Sequence, residues 1–277
     1  MNKIGIIGNP LSHSLSPVMH NAAIKYLGLD LSFEKWEIDL PYLSKFFSNI
    51  KENKIIGGCI TIPFKERALE YCKDVDDDAK RIGAINWFKI ESGRLKGFNT
   101  DHIGFFKSLP KELQTNLSEI KVVLLGAGGS SKAIVEGLVR NGCINLSIIN
   151  RTIENAVNIS TKYPNLKINT KILESAEADN YISNADLIIN STSLGMSSGP
   201  DPKNSIVRDM NLKKGVVGYD LVYSPLKTPF ISKIENAGGK SVTGISMLIY
   251  QAISGLKIIT GKDCPYEIME NSIDTQL

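Results

Sequence analysis

The run CITIPFKE, from Cys59 to Glu66, ends an apolar segment on polar and cationic side chains. Ile55, Ile56, Ile60 and Ile62 supply apolar bulk, and Pro63 then removes a backbone donor and stops the ladder. Two readings stand for Thr61 and Lys65. Either a strand runs into a turn with Lys65 on the surface, or the strand tip aims a polar clamp into a cleft. Other polar motifs sit at apparent strand ends: Ser14 and Ser16 in GNPLSHSLSP, Asn86 in GAINW, and Asn99 and Asp101 in GFNTD. In parallel sheets, ligands bind outside the carboxyl ends of the strands. Each motif alone is a helix cap or a turn; their number argues for one shared cleft.

A second chemistry is written in KVVLLGAGGSSKAIVEGLVRNG, which reads as strand, glycine turn and helix. Gly126, Gly128 and Ser131 occupy the G-x-G-x-x-G/A positions, with Ala127, Gly129 and Ser130 completing the turn. Such a turn lets the backbone approach a pyrophosphate, and the helix start offers its N–H groups to the negative charge. The next strand ends SIINRT. Asn150 lies where an NAD-binding protein carries an acidic residue, and Arg151 and Thr152 follow. With no carboxylate to repel a 2′-phosphate and a guanidinium to hold one, the site favours NADP.

These groups need a scaffold of alternating strands and helices. Apolar runs predict strands over 3–7, 32–38, 55–60, 84–88, 121–125, 145–150, 186–190 and 216–220. Helical patterns fall over 17–27, 41–50, 101–109, 132–141, 153–163 and 228–237. The alternation implies an α/β fold with mostly parallel sheets. The polar stretch SLPKELQTNLSEI marks a boundary. We expect a substrate domain over 1–105, a Rossmann NADP domain over 106–245, and C-terminal helices over 246–277 packing back on the first domain.

The 277 residues suit two domains. A net charge of +3 is too mild for a nucleic-acid partner and compatible with small anionic ligands. No apolar run reaches membrane-spanning length, and none near the N-terminus is long enough for a signal-peptide core, so a soluble cytoplasmic protein, a monomer or homodimer, is expected. The four cysteines have neither metal-knuckle nor redox spacing, the three histidines are scattered, and no metal site is expected.

In this order, SHSLSP, TIPFK, GAIN, NTD, GAGGSS, NRT, NSTSLGM, YDLVYSPLKTPF and GISMLIYQA resemble shikimate dehydrogenase over almost the whole chain. That family reduces 3-dehydroshikimate to shikimate with NADPH, in chorismate and aromatic amino-acid biosynthesis. The resemblance implies that Ser14 and Ser16 hold the substrate carboxylate with Tyr223 nearby. Thr61, Asn86 and Gln251 would bind the other substrate oxygens. Lys65 and Asp101 would be the catalytic pair, and Leu221, Gly244 and Met247 would border the nicotinamide. Hydride delivery makes the ketone oxygen an incipient alkoxide, which a strand-tip ammonium held by a carboxylate can protonate.

The sequence departs from the family pattern at four places. Cys59 replaces Asn, Trp87 replaces Thr, His102 replaces Gly, and Asn155, beside Glu154, replaces a second basic residue after Arg151. Cys59 reads as an apolar filler at the strand tip, with a thiol pKa expected to be lowered by Lys65. Two rivals remain open at this level: a shikimate/quinate dehydrogenase using NAD or NADP, and a cofactor-binding paralogue that has drifted from catalysis.

Overall fold

The computed structural model describes residues 1–274. The chain divides into two compact units. One comprises Met1–Gly104 with the described residues from Leu248 onward, and the other Phe105–Met247. In the first, the strands are β1 (Asn2–Gly8), β2 (Leu31–Glu37), β3 (Ile55–Ile60), β4 (Asp74–Val75), β5 (Trp87–Glu91) and β6 (Arg94–Phe98), in the sheet order β2-β1-β3-β5-β6-β4. Its helices begin with α1 (Ser16–Tyr26), α2 (Leu43–Ser48) and α3 (Asp77–Ile82). Then α4 (Asp101–Ser108) leads into the second unit, whose first helix is α5 (Lys111–Thr115).

The first sheet is parallel through β2, β1 and β3, but β5 runs antiparallel to both β3 and β6. This corrects the strand expected over 84–88. Ala84, Ile85 and Asn86 precede the strand, which starts at Trp87. The cause is a hairpin: Ser92 and Gly93 both adopt positive φ, 50° and 74°, in a two-residue loop between β5 and β6. Positive φ at both central residues matches the twist of the flanking strands. Asn86 therefore lies at the amino end of its strand. Because β5 is reversed, that end sits beside the carboxyl end of β3.

The second unit carries β7 (Val122–Leu125), β8 (Leu146–Asn150), β9 (Asn169–Ile172), β10 (Leu187–Asn190), β11 (Val217–Asp220) and β12 (Lys240–Thr243). All are parallel, in the order β12-β11-β10-β7-β8-β9. Counted within the unit this is 3-2-1-4-5-6, the doubly wound dinucleotide-binding order. Its helices are α6 (Gly129–Arg140), α7 (Ile153–Ser160), α8 (Ala176–Ser183) and α9 (Pro229–Asn236). Leu124, Leu146, Ile148, Leu187 and Ile189 pack one face of the sheet, and Val123, Leu125, Ile149 and Ile188 the other. Burial on both faces is why these strands read as continuous apolar runs.

Two helices complete the chain, α10 (Ile245–Thr260) and α11 (Tyr266–Ile273). In the first unit α11 packs against α1. Among the described residues no helix is long and apolar enough to cross a membrane.

Candidate active site

The tip of β3 shows how the first unit presents a lysine. Phe64 is fully buried and closes a turn by donating its N–H to the Thr61 carbonyl at 2.9 Å. Phe64 anchors the turn, and Lys65 follows it half-buried. Its own carbonyl accepts from Ile85 N–H at 2.9 Å, and Ile60 N–H donates to the Asn86 carbonyl at 2.8 Å. These bonds fasten the segment before β5 to the end of β3.

Lys65 Nζ lies 2.5 Å from Asp101 Oδ2. The two side chains are 17% and 6% exposed, so the pair is desolvated yet reachable. Asp101 begins α4, where the N-terminal end of the helix favours a carboxylate. Asn99 sets its backbone, with Oδ1 accepting from Asp101 N–H at 3.0 Å and Nδ2 donating to the Ala84 carbonyl at 2.9 Å.

Asn86 is the hub. Its Oδ1 accepts from Thr100 N–H at 2.7 Å, which assigns the amide orientation. Its Nδ2 then faces Asp101 Oδ1 at 2.8 Å, Thr100 Oγ1 at 3.0 Å and Gln251 Oε1 at 3.2 Å. Thr100 Oγ1 donates to the Gln251 carbonyl at 3.0 Å. Lys65, Asn86, Asp101 and Gln251, expected from the sequence, thus meet in one polar cluster. Thr100 joins it unforeseen, and Trp87, noted only as a departure from the family pattern, joins it as a donor. Thr100 lay inside the quoted NTD motif, whereas a tryptophan beginning a strand gave no signal as a donor.

Ser16 starts α1 and is buried, and its N–H reaches Ser14 Oγ at 3.4 Å. Thr61 continues the ladder at the tip of β3, its N–H donating to the Ile7 carbonyl at 2.9 Å. Cys59 faces Trp87 across the strand pair and contacts Ser16. The expectation of a lowered thiol pKa is corrected here. Burial pushes the Cys59 thiol up to about 12, outweighing the nearby Lys65 charge and the Ser16 hydrogen bond. His102 pairs through Nε2 with Asp78 Oδ2 at 3.2 Å.

In the second unit the glycine turn follows β7, at the switch point between β7 and β10. Gly126 has φ 105°, and a Cβ there would lie 2.8 Å from Ser191 Oγ, so the position demands glycine. Ser131 is fully buried and fills the third motif position. It accepts from Gly128 N–H at 2.9 Å and meets Ser191 Oγ at 2.8 Å. Gly128 N–H is therefore spent inside the turn, and the first N–H groups of α6, from Gly129 and Ser130 on, are those that helix geometry leaves without an intrahelical partner. Ala127 sits between the two glycines of the turn.

At the end of β8, Asn150 Nδ2 donates to the Thr152 carbonyl at 2.8 Å, closing the loop that displays the exposed Arg151. Leu221 follows β11, its N–H donating to the Asn190 carbonyl at 2.9 Å, and Gly244 packs against the Leu221 carbonyl. Met247 is 8% exposed and belongs mainly to the core of this unit. Tyr223 is half-buried, and burial raises its phenol pKa. A buried clamp holds these loops: Asp220 accepts from Asn190 Nδ2 at 2.9 Å, Val222 N–H at 3.0 Å and Thr228 Oγ1 at 2.5 Å.

Comparison with known proteins finds relatives along nearly the whole chain. Residues 6–88 match the shikimate dehydrogenase substrate binding domain, 108–201 the shikimate / quinate 5-dehydrogenase family, and 244–273 the shikimate 5'-dehydrogenase C-terminal domain. A shikimate dehydrogenase (NADP(+)) of Methanococcus aeolicus is 39% identical, covering 98% of this chain and 96% of that protein. The crystal structure of shikimate dehydrogenase from Aquifex aeolicus superposes with a TM-score of 0.89 at 37% identity, covering 99% and 98% of the two chains. A shikimate 5-dehydrogenase from Thermus thermophilus, solved with NADP(H) and shikimate, gives 0.83 at 30% identity and 100% coverage of both.

Proposed function

The chain belongs to the shikimate dehydrogenase family, and on that premise we propose that it interconverts 3-dehydroshikimate and shikimate with NADP. The observation that carries the reading is the Lys65–Asp101 pair, 2.5 Å apart and only partly exposed, at the tip of a parallel strand. Asp101 is tied in turn to Asn86, which also meets Thr100 and Gln251, so the pair stands among side chains that can hydrogen-bond a polar ligand.

The second unit has the features a dinucleotide requires: a glycine turn at the switch point, the start of α6 directly after it, and Arg151 at the end of β8. Gly126, Gly128, Gly129 and Ser130 would hold the pyrophosphate, and Asn150, Arg151 and Thr152 the adenosine ribose and its 2′-phosphate. Leu221, Gly244 and Met247 would border the nicotinamide. When bound, NADPH supplies a hydride to the substrate ketone carbon. The protein supplies the rest. Lys65 gives a proton to the ketone oxygen as it gains charge, and in the reverse direction takes it from the alcohol. Asp101 holds the ammonium in position, and Asn86 holds Asp101. Ser14 and Ser16 offer hydroxyl donors to the carboxylate, with Tyr223 as a further donor, while Thr61, Asn86 and Gln251 orient the ring oxygens.

The test is formation of NADPH absorbance from shikimate and NADP by the purified protein, repeated with quinate and with NAD. We expect shikimate with NADP to give the highest kcat/KM. No turnover of shikimate with either cofactor overturns the reading, and preferred turnover of quinate reassigns the substrate.

A further inference from the structure

Trp87 is the largest departure from the family pattern near the polar cluster, and its surroundings are built for it. The indole is fully buried. It lies against the backbone of α10 at Gly255, where a Cβ would stand 1.9 Å from the ring. Only a residue without a side chain admits a tryptophan there. Gly255 falls one helical turn after Gln251, on the same face of α10. The ring that packs on Gly255 therefore reaches Gln251, and Trp87 Nε1 lies 3.2 Å from Gln251 Oε1.

A count of donors shows why that bond matters. Asn86 Nδ2 carries two hydrogens and faces three acceptors, and Gln251 Oε1, at 3.2 Å, is the most distant of them. Asp101 and Thr100 can take both hydrogens. The indole N–H has no such competition. It keeps Gln251 Oε1 satisfied and, together with the Leu248 carbonyl that accepts from Nε2, fixes which end of the amide is the carbonyl. Gln251 Nε2 donates one hydrogen to the Leu248 carbonyl at 2.8 Å, which leaves its second N–H as a donor at the edge of the cluster.

We propose that Trp87 is a positioning residue for substrate. Its indole N–H locks the Gln251 amide with Oε1 inward, so that Gln251 meets the ligand as a hydrogen-bond donor and selects a hydroxyl or carboxylate oxygen there. The inference rests on the proposed reaction and adds the group that sets the polarity of one substrate contact. Without the indole N–H, Gln251 Oε1 keeps only its share of Asn86 Nδ2, so the amide is held less firmly and its second N–H is aimed less well at a substrate oxygen.

The test is Trp87→Phe, which keeps an aromatic ring and removes the N–H, combined with Gln251→Ala in a double-mutant cycle. Trp87→Phe is expected to raise KM for shikimate about three- to tenfold, the range of one neutral hydrogen bond, with KM for NADP unchanged and kcat less affected. In the Gln251→Ala background the same change is expected to alter KM less than about twofold. An unchanged KM in Trp87→Phe, or equal effects in both backgrounds, overturns the proposal and leaves Trp87 as core packing. A wild-type protein that does not turn over shikimate instead overturns the proposed function, and the inference with it. Nuclear magnetic resonance gives a second arm that does not need Trp87→Phe to fold. The chain has two indole N–H groups, and that of Trp36 donates to Glu34 at 3.2 Å. In Gln251→Ala the Trp87 indole resonance is expected to move while that of Trp36 stays. A stationary Trp87 resonance overturns the lock.

Discussion

Three side chains carry sharp residue-scale expectations. Lys65→Ala removes the proton donor and leaves the fold around Phe64 intact, so kcat is expected to fall about 10²-fold or more while NADP binding is kept. A kcat near wild type at neutral pH would remove Lys65 from the chemistry. Arg151 is exposed just after β8, the place proposed for the 2′-phosphate. Arg151→Ala is expected to raise KM for NADP roughly tenfold or more and leave KM for NAD nearly unchanged, since a charge-assisted contact contributes about 1.5–3 kcal/mol. Equal effects on both cofactors would separate Arg151 from the 2′-phosphate. Cys59 behaves oppositely to the lowered pKa that its nearness to Lys65 suggests. With the thiol pushed up to about 12 and the side chain 6% exposed, iodoacetamide is expected to leave Cys59 unlabelled at pH 8, with or without shikimate. Rapid labelling that shikimate blocks would reverse that assignment. Lysine proximity is visible in the sequence, and the burial that overrides it is not.

At the scale of elements, the parallel strands were legible because burial on both faces makes them unbroken apolar runs, as in VVLL and LIIN. The polar edge strands were not: Asn169–Ile172 and Lys240–Thr243 have little apolar periodicity and are ordered by their single neighbours. The hairpin of β5 and β6 was hidden behind a Ser-Gly pair that reads equally well as a loop. It matters most, because reversing β5 brings Asn86 and Asp101 to the same edge as Lys65. The four-residue cluster was legible in residue type through the family motifs, whereas its wiring through Thr100 and Trp87 required the reversed strand. The hairpin also yields a prediction. Gly93 has φ 74° and no neighbour within 4 Å of its Cβ direction, so Gly93→Ala adds backbone strain alone. It is expected to cost roughly 1 kcal/mol of stability. Because the loop is at the far end of both strands from Asn86 and Asp101, kcat/KM is expected to stay within about twofold. Thermal unfolding and steady-state kinetics check the two halves. A large kinetic loss would mean that the loop sets the register on which Asn86 depends.

At the scale of the molecule, one buried group in each unit responds to acid with opposite sign. His20, on α1, is fully buried, stacks on Phe33 with centroids 4.3 Å apart, and meets Trp87 edge-on at 5.3 Å. Neither ring nitrogen has a hydrogen-bond partner among the described residues, and burial lowers its pKa from 6.5 to about 3. The unfolded chain therefore binds a proton that the folded unit refuses. Stability from a neutral His20 is complete above pH 6.5 and is lost as pH falls below it, by about 2 kcal/mol between pH 7 and pH 5. In the second unit, burial raises Asp220 from 3.8 to about 6 despite its three donors. The folded state there gains a proton first, so its contribution is full below pH 3.8 and is lost as pH rises through 6. Between pH 7 and pH 5 this adds about 1 kcal/mol. A probe of the whole chain would partly cancel the two. Tryptophan fluorescence does not, because both tryptophans, Trp36 and Trp87, lie in the first unit. Urea unfolding followed by this signal is expected to show a midpoint that drops from pH 7 to pH 5, and His20→Leu is expected to flatten most of that drop. The comparison of slopes is what decides, since His20→Leu also changes the packing on Phe33 at every pH. A variant with the same acid slope as wild type would mean that His20 takes up its proton in the folded state and that its ring is not sealed between Phe33 and Trp87.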